Sequence, residues 1–397
     1  PDDDEPLTAV VTLSQDGLSV IASGSPEALD YDYTARSIRL EVGAVAVGGA
    51  PVENLIATLS LADVGGRSST QRDGGLRRVE QSLASGTVGY RLSVTDAETG
   101  SVLDLAGEAE TMRHESRVAS PADGDLSDMT AALEAGLDAE TSLVFGPGAT
   151  RFSFVEDDEA VTGNSRSDSV RFGGSFSADG FVYESDARGI EVSTELEMFP
   201  TPVTYAIERA FLQFALPVAQ REEMQDFGLS IDLAGLQLPE MLWSLIDPEA
   251  TLPRDPAELA LDLSGKARLT TDIFDEAQIA ALERSGESPG DLESLSLDRL
   301  ALSVAGARLT GAGAIALENA EGLDIPPAEG SVDLRLEGGQ TLLDRLVAIG
   351  LLPEDQAMTV RMMASMFANA VEGEDTLTSR IEIRKDGTIT VNGQRMR

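Results

Sequence analysis

The chain has 397 residues, 42% of them hydrophobic and 25% charged, with no cysteine, so disulfides, thiolate metal sites and thiol catalysis are excluded. Its 69 acidic and 29 basic residues give a formal net charge of −40, which opposes binding to nucleic acid or to an anionic membrane surface. The hydrophobic fraction and a steady alternation exclude disorder as the source of that charge.

The chain opens at Pro1-Asp2-Asp3-Asp4 directly before a strand pattern, so an upstream segment is expected. Val11 and Leu13, then Ser14-Gln15-Asp16-Gly17, then Leu18 and Val20 predict a hairpin pairing Leu13 with Leu18. The same turn chemistry returns at Ser177-Ala178-Asp179-Gly180, where Phe176 is expected to meet Phe181 and Gly174 to meet Tyr183. Between them lie Ile38/Leu40/Val42, Leu55/Ala57/Leu59, Val88/Tyr90/Leu92/Val94, Leu103/Leu105 and Phe152/Phe154, all alternating as strands. A break at Asp96-Ala97-Glu98-Thr99-Gly100 and a linker at Ser120-Pro121-Ala122-Asp123-Gly124 interrupt them, the linker leading into a helix at about 126–137. Gly146-Pro147-Gly148 reads as a turn. In Ile190/Val192/Thr194/Leu196/Met198 the apolar residues alternate with polar ones, the pattern of an antiparallel sheet covered on one face.

From Pro239 the texture changes. A short helix containing Met241, Trp243 and Ile246 ends at Asp247-Pro248, and a second, around Ile279, is opened by Asp275 as its cap. Strands run through Leu259/Leu261/Leu263, Leu295/Leu297, Leu300/Leu302/Val304 and Val332/Leu334/Leu336. Two helices follow, 342–349 and 353–371, separated by Gly350 and Pro353. The second carries Met358, Met362, Met363, Met366 and Phe367, which reads as the filler of an irregular core. In the closing hairpin a three-residue loop, Lys385-Asp386-Gly387, pairs Ile383 with Ile389 and Ile381 with Val391 and keeps both apolar sets on one face.

The expected fold is mainly β: a long antiparallel meander forming a curved sheet or groove, capped near its C-terminus by helices, with about five helices and under a quarter of residues helical. A boundary near residue 238 divides 1–238, with one helix, from 239–397, with helical insertions and the hairpin; one continuous sheet through both is the other arrangement.

Signals for chemistry are weak. His114, the single histidine, lies between Arg113 and Glu115, and no Gly-x-Ser-x-Gly elbow accompanies it, so it is given no catalytic role. Gly311-Ala312-Gly313-Ala314 lacks the following helix of a dinucleotide loop and reads as a loosened turn. Neither Glu156-Asp157-Asp158-Glu159 nor Glu372 with Glu374-Asp375 matches a calcium loop. No catalytic, metal or cofactor residue is assigned.

The segments Leu252-Pro253-Arg254-Asp255-Pro256, Gly350 through Met358, Gly373-Glu374-Asp375-Thr376-Leu377-Thr378 and Asn392-Gly393-Gln394-Arg395 resemble an uncharacterised alphaproteobacterial family, domain of unknown function 2125. The resemblance implies export to the cell envelope, a periplasmic location and removal of a secretion signal, and brings no catalytic residues. Two readings stay open. One is a non-enzymatic carrier holding a lipid or other apolar ligand on a concave sheet face around Phe172, Phe176, Phe181, Tyr183, Val192 and Leu196, where Leu196→Asp should abolish lipid co-purification. The other is a structural or assembly protein with a self-closed core. Neither reading includes nucleic acid or a transmembrane segment.

Overall fold

In a computed structural model the protein is described at all residues except 1–6, 48–49, 53–54, 97–98, 123–125, 127, 157–158, 287, 319–326 and 397. The opening Pro1-Asp2-Asp3-Asp4, Ala97-Glu98, Asp123-Gly124 and Asp157-Asp158 therefore lie outside the described residues. Strands hold 64% of the chain and helices 13%, a mainly β fold with a large antiparallel sheet. Contacts divide the chain into two compact units. The first comprises Pro1–Asp125, Ala135–Gly174 and Asp186–Ala206; the second comprises Leu126–Glu134, Ser175–Ser185 and Ile207–Arg397.

In chain order the strands up to residue 195 are β1 (Leu7–Asp16), β2 (Ser19–Ser25), β3 (Ala28–Val47), β4 (Ala50–Val52), β5 (Ile56–Asp73), β6 (Leu76–Ser85), β7 (Thr87–Thr95), β8 (Val102–Ala109), β9 (Met112–Pro121), β10 (Asp138–Phe145), β11 (Gly148–Glu156), β12 (Glu159–Ser167), β13 (Ser169–Ser177) and β14 (Gly180–Glu195). Helix α1 (Met129–Glu134) interrupts them after β9 and belongs to the second unit. Several of these strands are halves of longer ones. β5 pairs with β7 as far as Ala62↔Thr87 and with β6 from Gly65↔Ala84, with two residues between on each side and no change of register. The same holds for Val88↔Ala109 and Ser85↔Met112, and for Ala109↔Gly148 and Met112↔Phe145. The chain thus passes straight from β6 to β7, from β8 to β9 and from β10 to β11. It is a meander of long strands, each creased in the middle.

This overturns two turn assignments. Leu13 pairs with Leu40, not with Leu18, and β1 and β2 run end to end along β3, from Asp16↔Ser37 to Ser19↔Thr34. Ser14-Gln15-Asp16-Gly17 is a crease, as is Gly146-Pro147. Gly17 supplies a left-handed φ of 66° and Asp63 one of 51° at its own crease. Backbone groups there remain paired: Gly86 N–H donates to Ala62 O (2.9 Å), Gly146 N–H to Thr111 O (3.0 Å) and Glu110 N–H to Pro147 O (2.9 Å).

The second unit continues with β15 (Val203–Leu216), β16 (Gln225–Leu236), α2 (Glu240–Ile246), β17 (Ala257–Leu269), α3 (Glu276–Ser285), β18 (Gly290–Val304), β19 (Ala307–Leu317), β20 (Ala328–Glu337), α4 (Gly339–Ala348), α5 (Glu354–Phe367), β21 (Asn369–Ala370), β22 (Thr376–Ile383), β23 (Ile389–Val391) and β24 (Gln394–Arg395). β16 through β20 follow one another as antiparallel neighbours, and β22 joins β20. The predicted cap holds, since the Asp275 carboxylate accepts from Ala277 N and Gln278 N. The hairpin register holds too, with Ile383↔Ile389 and Ile381↔Val391 and Gly387 at φ 78°. Gly311 and Gly313 lie inside β19, opposite Leu334 and Val332, and not in a turn.

The methionine face is the main departure. Met358, Met362 and Met366 are 62%, 59% and 56% exposed, so they fill no core. Helix α5 turns its small side inward: Ala357 is fully buried, and Arg361 and Ala364 follow at helical spacing. Arg361 pairs with Asp344 of α4 at 2.6 Å. The helix stops at Phe367, short of the predicted 371, because Asn369 and Ala370 pair with Thr378 and Leu377 as a strand.

Candidate functional site

The crease makes a groove of the first unit. Residues three apart on a strand ordinarily face opposite sides, yet Ala109 and Met112, and likewise Phe145 and Gly148, line one cavity from opposite sides of a crease. Each crease therefore slips the alternation by one residue, as a bulge does, and both halves of the strand keep their apolar positions on the same concave side. Val64, Ser85, Val88, Ala109 and Met112 are buried along the fold line.

The first wall is read from register alone. One row joins Leu13, Leu40, Leu59, Tyr90, Gly107, Thr150, Ser165 and Val192. The next joins Val11, Val42, Ala57, Leu92, Leu105, Phe152, Gly163 and Thr194. Neither row contains a charged residue, in a chain that is 25% charged. Next to the rows, charges sit on the other face as ion pairs such as Arg91–Asp104 (2.8 Å), and on the rows' own face Glu156 and Glu159 stand at the far ends of β11 and β12. The hydrogen bond from Arg91 holds the Asp104 carboxyl below the usual carboxylate range. With eight strands about 4.8 Å apart, the wall is about 34 Å long.

Near the fold line the groove deepens into an open apolar cavity of about 490 Å³, between Leu59, Val88 and Tyr90 on one wall and Met112, Phe145 and Phe172 on the other. That volume falls in the range of small-molecule sites. Apolar side chains along the groove are not covered: Leu13 is 65% and Phe154 49% exposed.

Aromatic rings pave the walls. Tyr33 stands opposite Gly66, Tyr90 opposite Gly107 and Phe152 opposite Gly163. A Cβ on any of these glycines would come within about 2.5 Å of the facing ring, so each ring lies flat on its glycine. Tyr90 Oη then reaches Thr150 Oγ1 at 2.5 Å. In the second unit Phe227 stands opposite Gly265 in the same way.

The six residues expected to form the ligand face are divided between the units. Phe172, Val192 and Leu196 belong to the first, Phe176, Phe181 and Tyr183 to the second. Phe172 lines the cavity and Val192 ends the first row, while Leu196 lies beyond the last residue of β14. Phe181 and Tyr183 pack on Phe214, with ring centroids 5.8 and 5.3 Å apart, and Phe176 meets Phe274 at 6.0 Å. Leu59, Tyr90, Met112 and Phe145 were not singled out beforehand; the phase slip between Val88 and Leu83, read with that between Leu105 and Met112, is the signal that finds them. His114 lies within β9, paired in register with Leu83 and Leu143, and its Nε2 is 3.2 Å from Thr141 Oγ1.

Among the described residues no group of three or more His, Asp or Glu side chains could hold a metal ion, and no helix is long and apolar enough to cross a membrane. No curated protein and no solved structure matches the chain. A family model does, over residues 32–396, nearly its whole length. By that match the chain belongs to the bacterial family described as "Uncharacterized protein conserved in bacteria (DUF2125)".

Proposed function

We propose that the first unit carries the hydrocarbon chain of a lipid along its creased groove, in the bacterial cell envelope, without performing chemistry on it. The observation that supports this is the pair of uncharged rows running across eight strands and opening to solvent. An apolar surface of that extent on a chain of net charge −40 marks a ligand or partner site. Each methylene buried there contributes about 0.8 kcal/mol, so a chain binds without a charged contact. A bilayer core of about 30 Å holds two opposed chains; a groove of about 34 Å is longer than one chain and suits a track. An enzyme reading has little support in the sequence, whose single histidine is accompanied by no Gly-x-Ser-x-Gly elbow.

The test is mass spectrometry of a denaturing extract of purified protein, alongside a Leu59→Asp variant. Co-purified lipid in the parent and at least a tenfold loss in the variant are expected. A parent free of lipid that also fails to take up an alkyl probe sinks the carrier reading. The second reading, a structural or assembly protein, is favoured by the exposed methionines of α5, an adaptable apolar surface of the kind that partners use. A photocrosslinker at Met362 in cells tests it; capture of no protein would count against it. Envelope location is tested by fractionating cells that express the native gene.

A further inference from the structure

We propose that the second wall of the groove recognises the uncharged, oxygen-bearing part of its lipid: the ester and hydroxyl groups of a glycerolipid backbone. This rests on the carrier reading above. Register brings Tyr31, Ser68, Gln81, Ser116 and Thr141 into one row across β3, β5, β6, β9 and β10. All five side chains donate and accept hydrogen bonds, and none carries a charge. The row lies on the face shared with Tyr33, Leu83, His114 and Leu143, one step further from the fold line. The opposite face of these strands bears Arg67, Glu80, Arg117 and Glu140.

The charges next to the row thus lie on the opposite face, and on the row's own face Arg72 and Arg77 stand four residues further out. A solvated face in this chain carries carboxylates, and a sealed core carries leucines; this row does neither. Among the described residues Tyr31, Ser68, Gln81 and Ser116 have no side-chain hydrogen-bond partner within the protein, whereas Thr141 Oγ1 is held by His114 Nε2 at 3.2 Å. Four of the five members are therefore free to bond a ligand. The row itself offers a carboxylate or phosphate head no lysine or arginine, and a pure hydrocarbon would leave the row unused. A lipid whose chain lies on the first wall and whose ester or hydroxyl oxygens face the second satisfies both walls.

The experiment offers dioleoylglycerol and 1-octadecene, each in detergent micelles, to the parent protein and to the triple variant Gln81→Leu, Ser116→Ala, Thr141→Val. Bound lipid is quantified after gel filtration. The variant should lose about tenfold in dioleoylglycerol retention and hold octadecene at least as well as the parent. Ser116→Ala alone, a small change at a half-buried site, should show a smaller loss in the same direction. Equal losses for both probes, or no loss for either, would overturn the proposal and leave the carrier reading intact. If the parent binds neither probe, the carrier reading itself fails.

Discussion

Gly107→Ala tests the paved wall most directly. Glycine within a strand is ordinarily a weak choice, so alanine should stabilise by about 0.5–1 kcal/mol if the position were merely permissive. Here a Cβ would stand 2.4 Å from Tyr90 Oη and 2.5 Å from Tyr90 Cζ, with Ala149 O at 2.9 Å. The ring must lift off the wall, giving up its contact with Thr150 Oγ1, and overpacking of this kind costs about 1–3 kcal/mol. The predicted sign is thus opposite to the intrinsic preference. Urea denaturation of the parent, Gly107→Ala, Tyr90→Leu and the double variant separates the causes. The contact with the Ala149 carbonyl persists in both backgrounds, whereas the ring clash does not, so Tyr90→Leu should recover at least about 1 kcal/mol of the Gly107→Ala loss. The lifted ring should also narrow the groove and reduce lipid retention. A Gly107→Ala protein as stable as the parent, or one whose loss is the same with and without Tyr90, would refute the geometry.

Three further outcomes are expected. Asp375 caps α4 from a distance, its carboxylate accepting from Gln340 N (3.0 Å) and Thr341 N (2.8 Å). Burial pushes its pKa up, but the hydrogen bonds from Thr341 and Gln340 outweigh burial and hold it below the ordinary value. Its stabilisation is therefore present above the unfolded carboxylate pKa of about 3.9 and lost as pH falls through the folded value. Asp375→Asn should cost about 1 kcal/mol at neutral pH, and thermal melts should show that gap closing in acid. Asp247 is fully buried and accepts from Thr251 N (2.9 Å) and Leu252 N (2.7 Å). Asp247→Ala strands both donors and should lower the urea midpoint well beyond the exposed control Glu249→Ala. Met362→Ser should change stability by no more than about 0.5 kcal/mol, as befits an exposed site; a loss of several would return α5 to the core.

The strands were legible because alternation is a local signal that register then completes. Ile38/Leu40/Val42 and Val88/Tyr90/Leu92/Val94 are strands as read, and the closing hairpin has the register that burial of one face demands. The creases were not legible by the same rule. Ser-Gln-Asp-Gly serves a reversing turn and a bulge equally, because both need a left-handed residue and a polar tip. Phase is what distinguishes them. Leu13 and Leu18 are five apart, so a straight strand would place them on opposite faces and only a slip returns them to one. A hairpin explains that slip, and so does a crease; the choice is made by β3, whose 20 residues offer a partner to both halves. That partner is distant in sequence, and a local reading cannot weigh it. The methionine stripe failed for a related reason. Helical spacing identifies a face but not what it meets, and the alanines behind it were the better guide to packing.

The charge and the groove have one explanation. A sheet with a wide apolar face invites edge-to-edge and face-to-face association, and the crease already withdraws that face into a concavity. Ion pairs such as Arg117–Glu140 stand well exposed on the convex side and add little to stability. The chain's excess of negative charge instead sets a repulsion between copies, which opposes the docking of a second copy on the concave face. On this argument self-association should grow as salt screens the convex faces. Sedimentation of the lipid-free protein at about 0.01 M and 1 M ionic strength, where the screening length falls from about 30 to 3 Å, measures it. Association that is strongest at low salt would show that the acidic surface does not guard the groove.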